Sequence, residues 1–209
     1  MDDKLSQKWA KLPAKGVIDK TAAALTQHGF TVVQVDDSDQ SLDKLKELIP
    51  DGSDVMTASS TTLSQIGFMA CYLDGENPWH CIGPEVYNEE DPEVQATLRR
   101  KSDTADYFLG SVNALTESGE LIACDGSGSR VSAYLFAAKN VILVVGAQKI
   151  TRNVQDAMQR VREYVLPLED ERAMQVYGRH AVLAKWIIIA QEINPGRITV
   201  ILVNQALGF

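Results

Sequence analysis

The run NVILVVG (Asn140–Gly146) constrains the fold of this chain more than any other stretch. It is unbroken and apolar, and rich in β-branched residues. Such a run predicts a strand buried on both faces rather than one that alternates between core and solvent. A strand of that kind needs a sheet covered on both sides. Helical patterns alternate with strand patterns around it, which predicts an α/β fold with a largely parallel sheet.

The rest of the chain supplies the layers. Ile18, Ala22 and Leu25 recur at helical spacing, and Gly29 predicts the stop. Phe30–Val35 reads as a strand. Leu42, Leu45, Leu48 and Ile49 mark a second amphipathic helix, ended by Pro50 and Gly52. Asp54–Ala58 reads as a strand leading into a helix that opens at SSTTLSQIG. Asp91-Pro92 predicts a helix start, and Arg99, Arg100 and Lys101 its end, where cations suit the helix dipole. YFLGSVNAL and ELIACD flank the turn Glu117-Ser118-Gly119 and read as an antiparallel hairpin. Arg130–Ala138 reads as a helix. Val154, Ala157, Met158, Val161 and Val165 mark one face of another, capped by Asn153 and ended before Pro167. WIII and ITVILV read as two more strands. The polar region Asn77–Pro92 reads as a long loop, of the kind that often forms a lid.

Bulk composition excludes several classes. At 209 residues and 45% hydrophobic, the chain is expected to form one domain with a real core, residues 1–15 being a peripheral segment. The net charge of −8 repels phosphate backbones and argues against nucleic acid. Three cysteines with no C-x-x-C spacing argue against a disulfide framework and for a reducing, cytoplasmic setting. MDDKLSQKW has no apolar signal core, and the longest apolar runs are too short to span a membrane. His80 and Cys81 adjoin, but no metal-ligand spacing is present, so no metal is assigned.

Four places carry candidate chemistry. Ser59, Ser60, Thr61 and Thr62 follow a strand and open a helix, where free N–H groups and hydroxyls attract anions. Simple N-capping explains only one of the four. Glu117 stands at a hairpin tip with Asn113 before it and Gly119 beside it. A carboxylate there is either a nucleophile or base, or merely solvated. In DGSGSR, Gly126, Ser127, Gly128, Ser129 and Arg130 read as a backbone nest with a guanidinium fork, or as a flexible connection. The run is neither a P-loop nor G-x-G-x-x-G. Lys149, just after the buried strand, suits an anion contact or an ordinary surface position.

The run NALTESGELIACDGSGSRVSAYLFAAKNVILVVGAQKITRNVQDAMQRVRE resembles the lactate-utilisation (LUD domain) family. Its members show N-A-[IL]-T-E-x-G-x-L, then D-G-x-G-N-R-V, a V-I-x-V-V-G strand and a helix ending R-V-R. The resemblance is strongest from Ala105 to Glu163. It implies a three-layer fold like that of ribose-5-phosphate isomerase, glucosamine-6-phosphate deaminase and the CoA transferases. By that analogy Glu117 is similar to the glutamate that forms a CoA thioester, and Ser59–Thr62 to turns that hold sugar phosphate. Ser129 departs from the family, where Asn is common. Leu166–Phe209 lacks the cysteine cluster of many members, so no redox or metal role is carried over and no cofactor is assigned. The resemblance implies organic-acid metabolism and a small anionic ligand: a carboxylate, an acyl-CoA or a phosphate. It implies either a subunit of a lactate-oxidising system with iron–sulfur oxidoreductase partners, or a stand-alone enzyme using Glu117. A structural or regulatory member and a homo-oligomer are further readings.

Overall fold

The strand Asn140–Gly146 (β7) lies in the middle of a six-stranded sheet, and its side chains divide between two cores. Val141, Leu143 and Val145 enter one hydrophobic cluster, Ile142 and Val144 the other, and all five are buried. The computed structural model describes residues 5, 8–75 and 77–209. Most of the N-terminal stretch read as lacking a signal core lies outside them.

The large sheet runs β1-β10-β7-β4-β2-β3, and every pairing in it is parallel. Its strands are Thr31–Val35 (β1), Asp54–Thr57 (β2), His80–Cys81 (β3), Tyr107–Gly110 (β4), β7 and Ile198–Val203 (β10). One face is covered by helices Ser38–Leu48 (α2), Thr61–Gln65 (α3) and Phe68–Asp74 (α4), through Leu45, Leu63, Phe68 and Tyr72. The other face is covered by Lys15–Gln27 (α1), through Ile18 and Leu25, and by a second sheet. This is a mixed α/β architecture in three layers, with the helices burying apolar stripes against a mostly parallel sheet.

The expected hairpin is part of that second, four-stranded sheet, ordered β8-β5-β6-β9. It comprises Ala114–Thr116 (β5), Leu121–Asp125 (β6), Ile150–Thr151 (β8) and Lys185–Ile189 (β9). The pairs β5–β6 and β6–β9 are antiparallel, and β5–β8 is parallel. Strand β6 also splits by parity. Leu121 and Ala123 face the main core, while Ile122 and Cys124 face Ala157, Val161, Tyr164 and Val165 on the outer side.

Three expectations change. Asn77–Pro92 is not one loop, because it holds β3 and the short helix Gly83–Tyr87 (α5). β3 adds to the edge of β2, and Trp79 beside it is buried, its Nε1 donating to the Ile49 carbonyl at 3.2 Å. YFLGSVNAL is two strands in different sheets, with Ser111–Asn113 crossing between them. Pro167 does not end its helix. Helical structure continues from Val154–Arg160 (α8, after Pro92–Ser102, α6, and Ser129–Ser132, α7) to Leu166–Tyr177 (α9). The wider π-helical turn Val161–Val165 lies between them, and Pro167 sits in the first turn of α9, where its missing N–H costs little. Asn153 and Asp91 cap their helices as the sequence predicts, Asp91 accepting from the N–H groups of Glu93 and Val94. No helix among the described residues is long and apolar enough to cross a membrane.

Candidate functional site

At the crossover Ser111–Asn113 the chain passes from the large sheet to the small one, and two cationic side chains, Lys149 and Arg160, donate to it, with Arg130 nearby. Gly110 starts it: a Cβ there would fall 1.8 Å from the Tyr134 hydroxyl. That hydroxyl instead donates to the Ser111 carbonyl at 3.1 Å. Lys149 arrives on the 3-10 turn that follows β7. Its Nζ donates to Thr62 Oγ1 at 3.0 Å, Ser111 Oγ at 3.0 Å and the Val112 carbonyl at 3.2 Å. Arg160, on α8, donates to the next carbonyl, that of Asn113, at 2.6 Å and to that of Trp9 at 3.4 Å. Arg130, on α7, donates to the Cys124 carbonyl and lies 3.5 Å from the Asp125 carboxylate. Asn113 ties the arrangement together, its Oδ1 accepting from the Cys124 N–H at 2.8 Å.

The electrostatics are unusual. Lys149 is 2% exposed and Arg160 is fully buried. Among the described residues, neither has a carboxylate within ion-pair distance. Burial holds the Lys149 amine well below the ordinary lysine range, and the charges of Arg160 and Arg130 push it further the same way. Burial brings Arg160 down to about 10. The Nε atoms of Arg130 and Arg160 are buried with no hydrogen-bond partner, but that of Arg130 faces Asp125 Oδ2 at 3.5 Å, so among the described residues Arg160 alone of the two has no anion beside it. An uncompensated buried cation costs several kcal/mol, and an orphaned N–H about 1–3 kcal/mol. A bound anion would relieve both.

The C-terminal segment covers the amine. Gln148 Nε2 donates to the Leu207 carbonyl at 2.8 Å, and the Leu207 N–H donates back to Gln148 Oε1 at 3.2 Å. The Gly208 N–H donates to Gln65 Oε1 at 2.6 Å. Gly208 has φ +64°, and a Cβ there would lie 2.2 Å from Thr62 Oγ1 and 3.1 Å from Lys149 Nζ.

The structure brings Thr62, Asn113, Arg130 and Lys149 together and places the other candidates differently. Ser59 is exposed, Thr61 is half-buried in the first turn of α3, and Ser60 caps that helix, accepting from the Leu63 N–H at 3.3 Å. In the Asp125–Arg130 turn, Asp125 Oδ1 accepts from the Gly128 N–H at 2.8 Å and from the Ser127 hydroxyl at 3.2 Å. The turn therefore points donors at its own carboxylate. Ser129 shares a hydroxyl contact with Ser127 at 3.1 Å, and the Gly126 carbonyl accepts from Lys185 at 3.1 Å. Glu117 donates its N–H to the Thr151 carbonyl at 2.8 Å, and its carboxylate lies 3.6 Å from Lys20. Beside it, Gly119 presses on the backbone of α1 at Ala24 and Leu25.

Arg160, Ser111, Gln148 and Gly208 are absent from the sequence-derived candidates. Arg160 left a signal. It falls at i+3 from Ala157 and next to Val161, on the apolar stripe of its helix, where an unpaired cation is out of place.

Residues 18–203 match the LUD domain family. Among solved structures, the chain is similar to a DUF162 family protein from Deinococcus radiodurans. The two share 16% identity at a TM-score of 0.55, over 93% of this chain and 100% of that one, a likeness of fold. No curated protein matches.

Proposed function

Because the chain belongs to the LUD domain family, we propose that it is a lactate-utilisation-like protein of organic-acid metabolism that holds a small anionic ligand at the cationic crossover. One observation carries the reading: Lys149 and Arg160 are buried side by side on consecutive carbonyls, with no carboxylate partner among the described residues. Carboxylates and phosphates supply the missing charge and accept from the orphaned Nε–H of Arg160. Membership of the family supports reading it as a binding subunit of a larger lactate-oxidising system. On that reading its partners would be iron–sulfur oxidoreductase subunits.

A thermal-shift panel of lactate, oxalate, an acyl-CoA, a sugar phosphate and a nicotinamide cofactor tests this. A ligand at about 100 times its dissociation constant stabilises the fold by roughly 2.7 kcal/mol. The expected result is a shift with at least one small carboxylate or phosphate that Arg160→Met abolishes. An equal shift in the variant, or none with any anion, overturns the reading.

A further inference from the structure

Lys149 is enclosed by partners suited to an amine as well as to an ammonium ion. Two of the three, the hydroxyls of Thr62 and Ser111, donate as readily as they accept. A neutral amine can therefore donate to the Val112 carbonyl and one hydroxyl while its lone pair accepts from the other. A carboxylate neighbour would allow no such exchange, and none is within reach among the described residues. The charged groups facing the amine are Arg160 and Arg130, and Asp125 is engaged with Arg130. Both arginines disfavour a third positive charge. Lys149 and Arg160 donate to the consecutive carbonyls of Val112 and Asn113, which sets the two side chains beside each other.

We propose that Lys149 is a nucleophile that forms a reversible imine with the carbonyl of a small 2-oxo acid, whose carboxylate rests on the Nε–H of Arg160. The proposal rests on the anion-binding reading above and adds a covalent step to it. The Nζ lone pair adds to the carbonyl carbon, and the carbonyl oxygen takes a proton to become the hydroxyl of a carbinolamine. That hydroxyl leaves as water, carrying away a second proton that originates on nitrogen, and C=N remains. Carbon and nitrogen exchange no electrons with an outside reagent, and hydrolysis reverses the step. The 2-oxo acid reaches the amine from beneath Leu207–Gly208, which requires release of the hydrogen bonds to Gln65 and Gln148.

The test uses the whole unaltered protein, incubated with pyruvate or glyoxylate and cyanoborohydride, then digested and mapped by mass. The expected result is a reduced adduct on the Lys149 peptide, on the order of tenfold or more above the exposed Lys11 and Lys139, since each unit of amine pKa is tenfold in free amine. Oxalate, which has the carboxylates but no reactive carbonyl, should compete with it. Lys149→Gln should remove the adduct, and if that variant does not fold, the mapping on the unaltered protein decides. Stabilisation by oxalate with no adduct from either 2-oxo acid overturns the imine and leaves anion binding standing. Labelling spread over surface lysines with Lys149 unmodified also overturns the imine. No adduct and no stabilisation by oxalate or pyruvate overturns both readings.

Discussion

A buried lysine with no carboxylate makes stability depend on pH in a fixed direction. The Lys149 amine is held well below its ordinary range in the fold, whereas in the unfolded chain it titrates near ~10.4. Between those two values the unfolded chain binds more protons, so the native protein gains stability as pH rises through that window and loses it as pH falls. Lys149→Met removes this dependence. Urea melts at about pH 6 and about pH 9 should show the variant's stability, relative to the native protein, higher at the acid end and declining toward the alkaline end. Taking the difference between the two proteins cancels the contribution of Tyr134, which burial raises to about 12 in both. A difference that does not change with pH would mean that the amine titrates in the fold as it does in the unfolded chain. Glu117 predicts the opposite kind of result. Its contact with Lys20 is long, at 3.6 Å, and joins a half-buried carboxylate to an exposed amine, so Glu117→Gln should cost less than about 1 kcal/mol and leave ligand-induced thermal shifts intact. Loss of those shifts would return the hairpin tip to the site. At this scale the sequence singled out Thr62 and Lys149, which the fold sets 3.0 Å apart, because strand ends and helix starts gather ligands. Arg160 was obscured because Arg162 and Glu163 follow it, and its burial depends on the small sheet packed against it.

The elements that read correctly are those long enough to show a period. Strands β7 and β10 declare themselves by unbroken β-branched runs, and α2 by its leucines. β3 has two residues and α5 five, too few for either periodicity to rise above the polar loop around them. YFLGSVNAL keeps one composition while its backbone changes sheets, so nothing local marks the break at Gly110. The hairpin tip illustrates how one residue seats an element. Gly119 has φ +95°, and a Cβ there would meet the Ala24 carbonyl carbon and oxygen and the Leu25 nitrogen at 2.9–3.0 Å. All three are backbone atoms of α1, which cannot rotate aside. Gly119→Ala should therefore cost about 1–3 kcal/mol, read as a lower urea midpoint with the slope unchanged. A change within about 0.5 kcal/mol would show that the tip does not bear on α1.

Across the whole molecule, strand type was legible but strand partnership was not. Alternation of strands and helices predicts a parallel sheet, and a tight turn predicts an antiparallel pair. Neither pattern says that the pair belongs to a separate sheet, because order across a sheet is set by contacts between residues far apart in the chain. That separation is what makes the crossover a candidate control point. Lys149 follows a strand of the large sheet, Arg160 sits on a helix packed against the small one, and Ser111–Asn113 joins the two. An anion held at Arg160, beside Lys149, would couple the sheets through Ser111–Asn113. Hydrogen exchange can detect this. Amides of β7 and β10, paired on both sides and buried on both faces, should exchange only by global unfolding, and those of the edge strand β9 much faster. Adding a stabilising anion should slow exchange at Ser111–Asn113 and at Leu207–Gly208, beyond the uniform slowing that global stabilisation gives β7. Glu117–Gly119 should show no such local slowing. Protection centred on the hairpin tip instead would place the ligand at Glu117 and remove the crossover from its role.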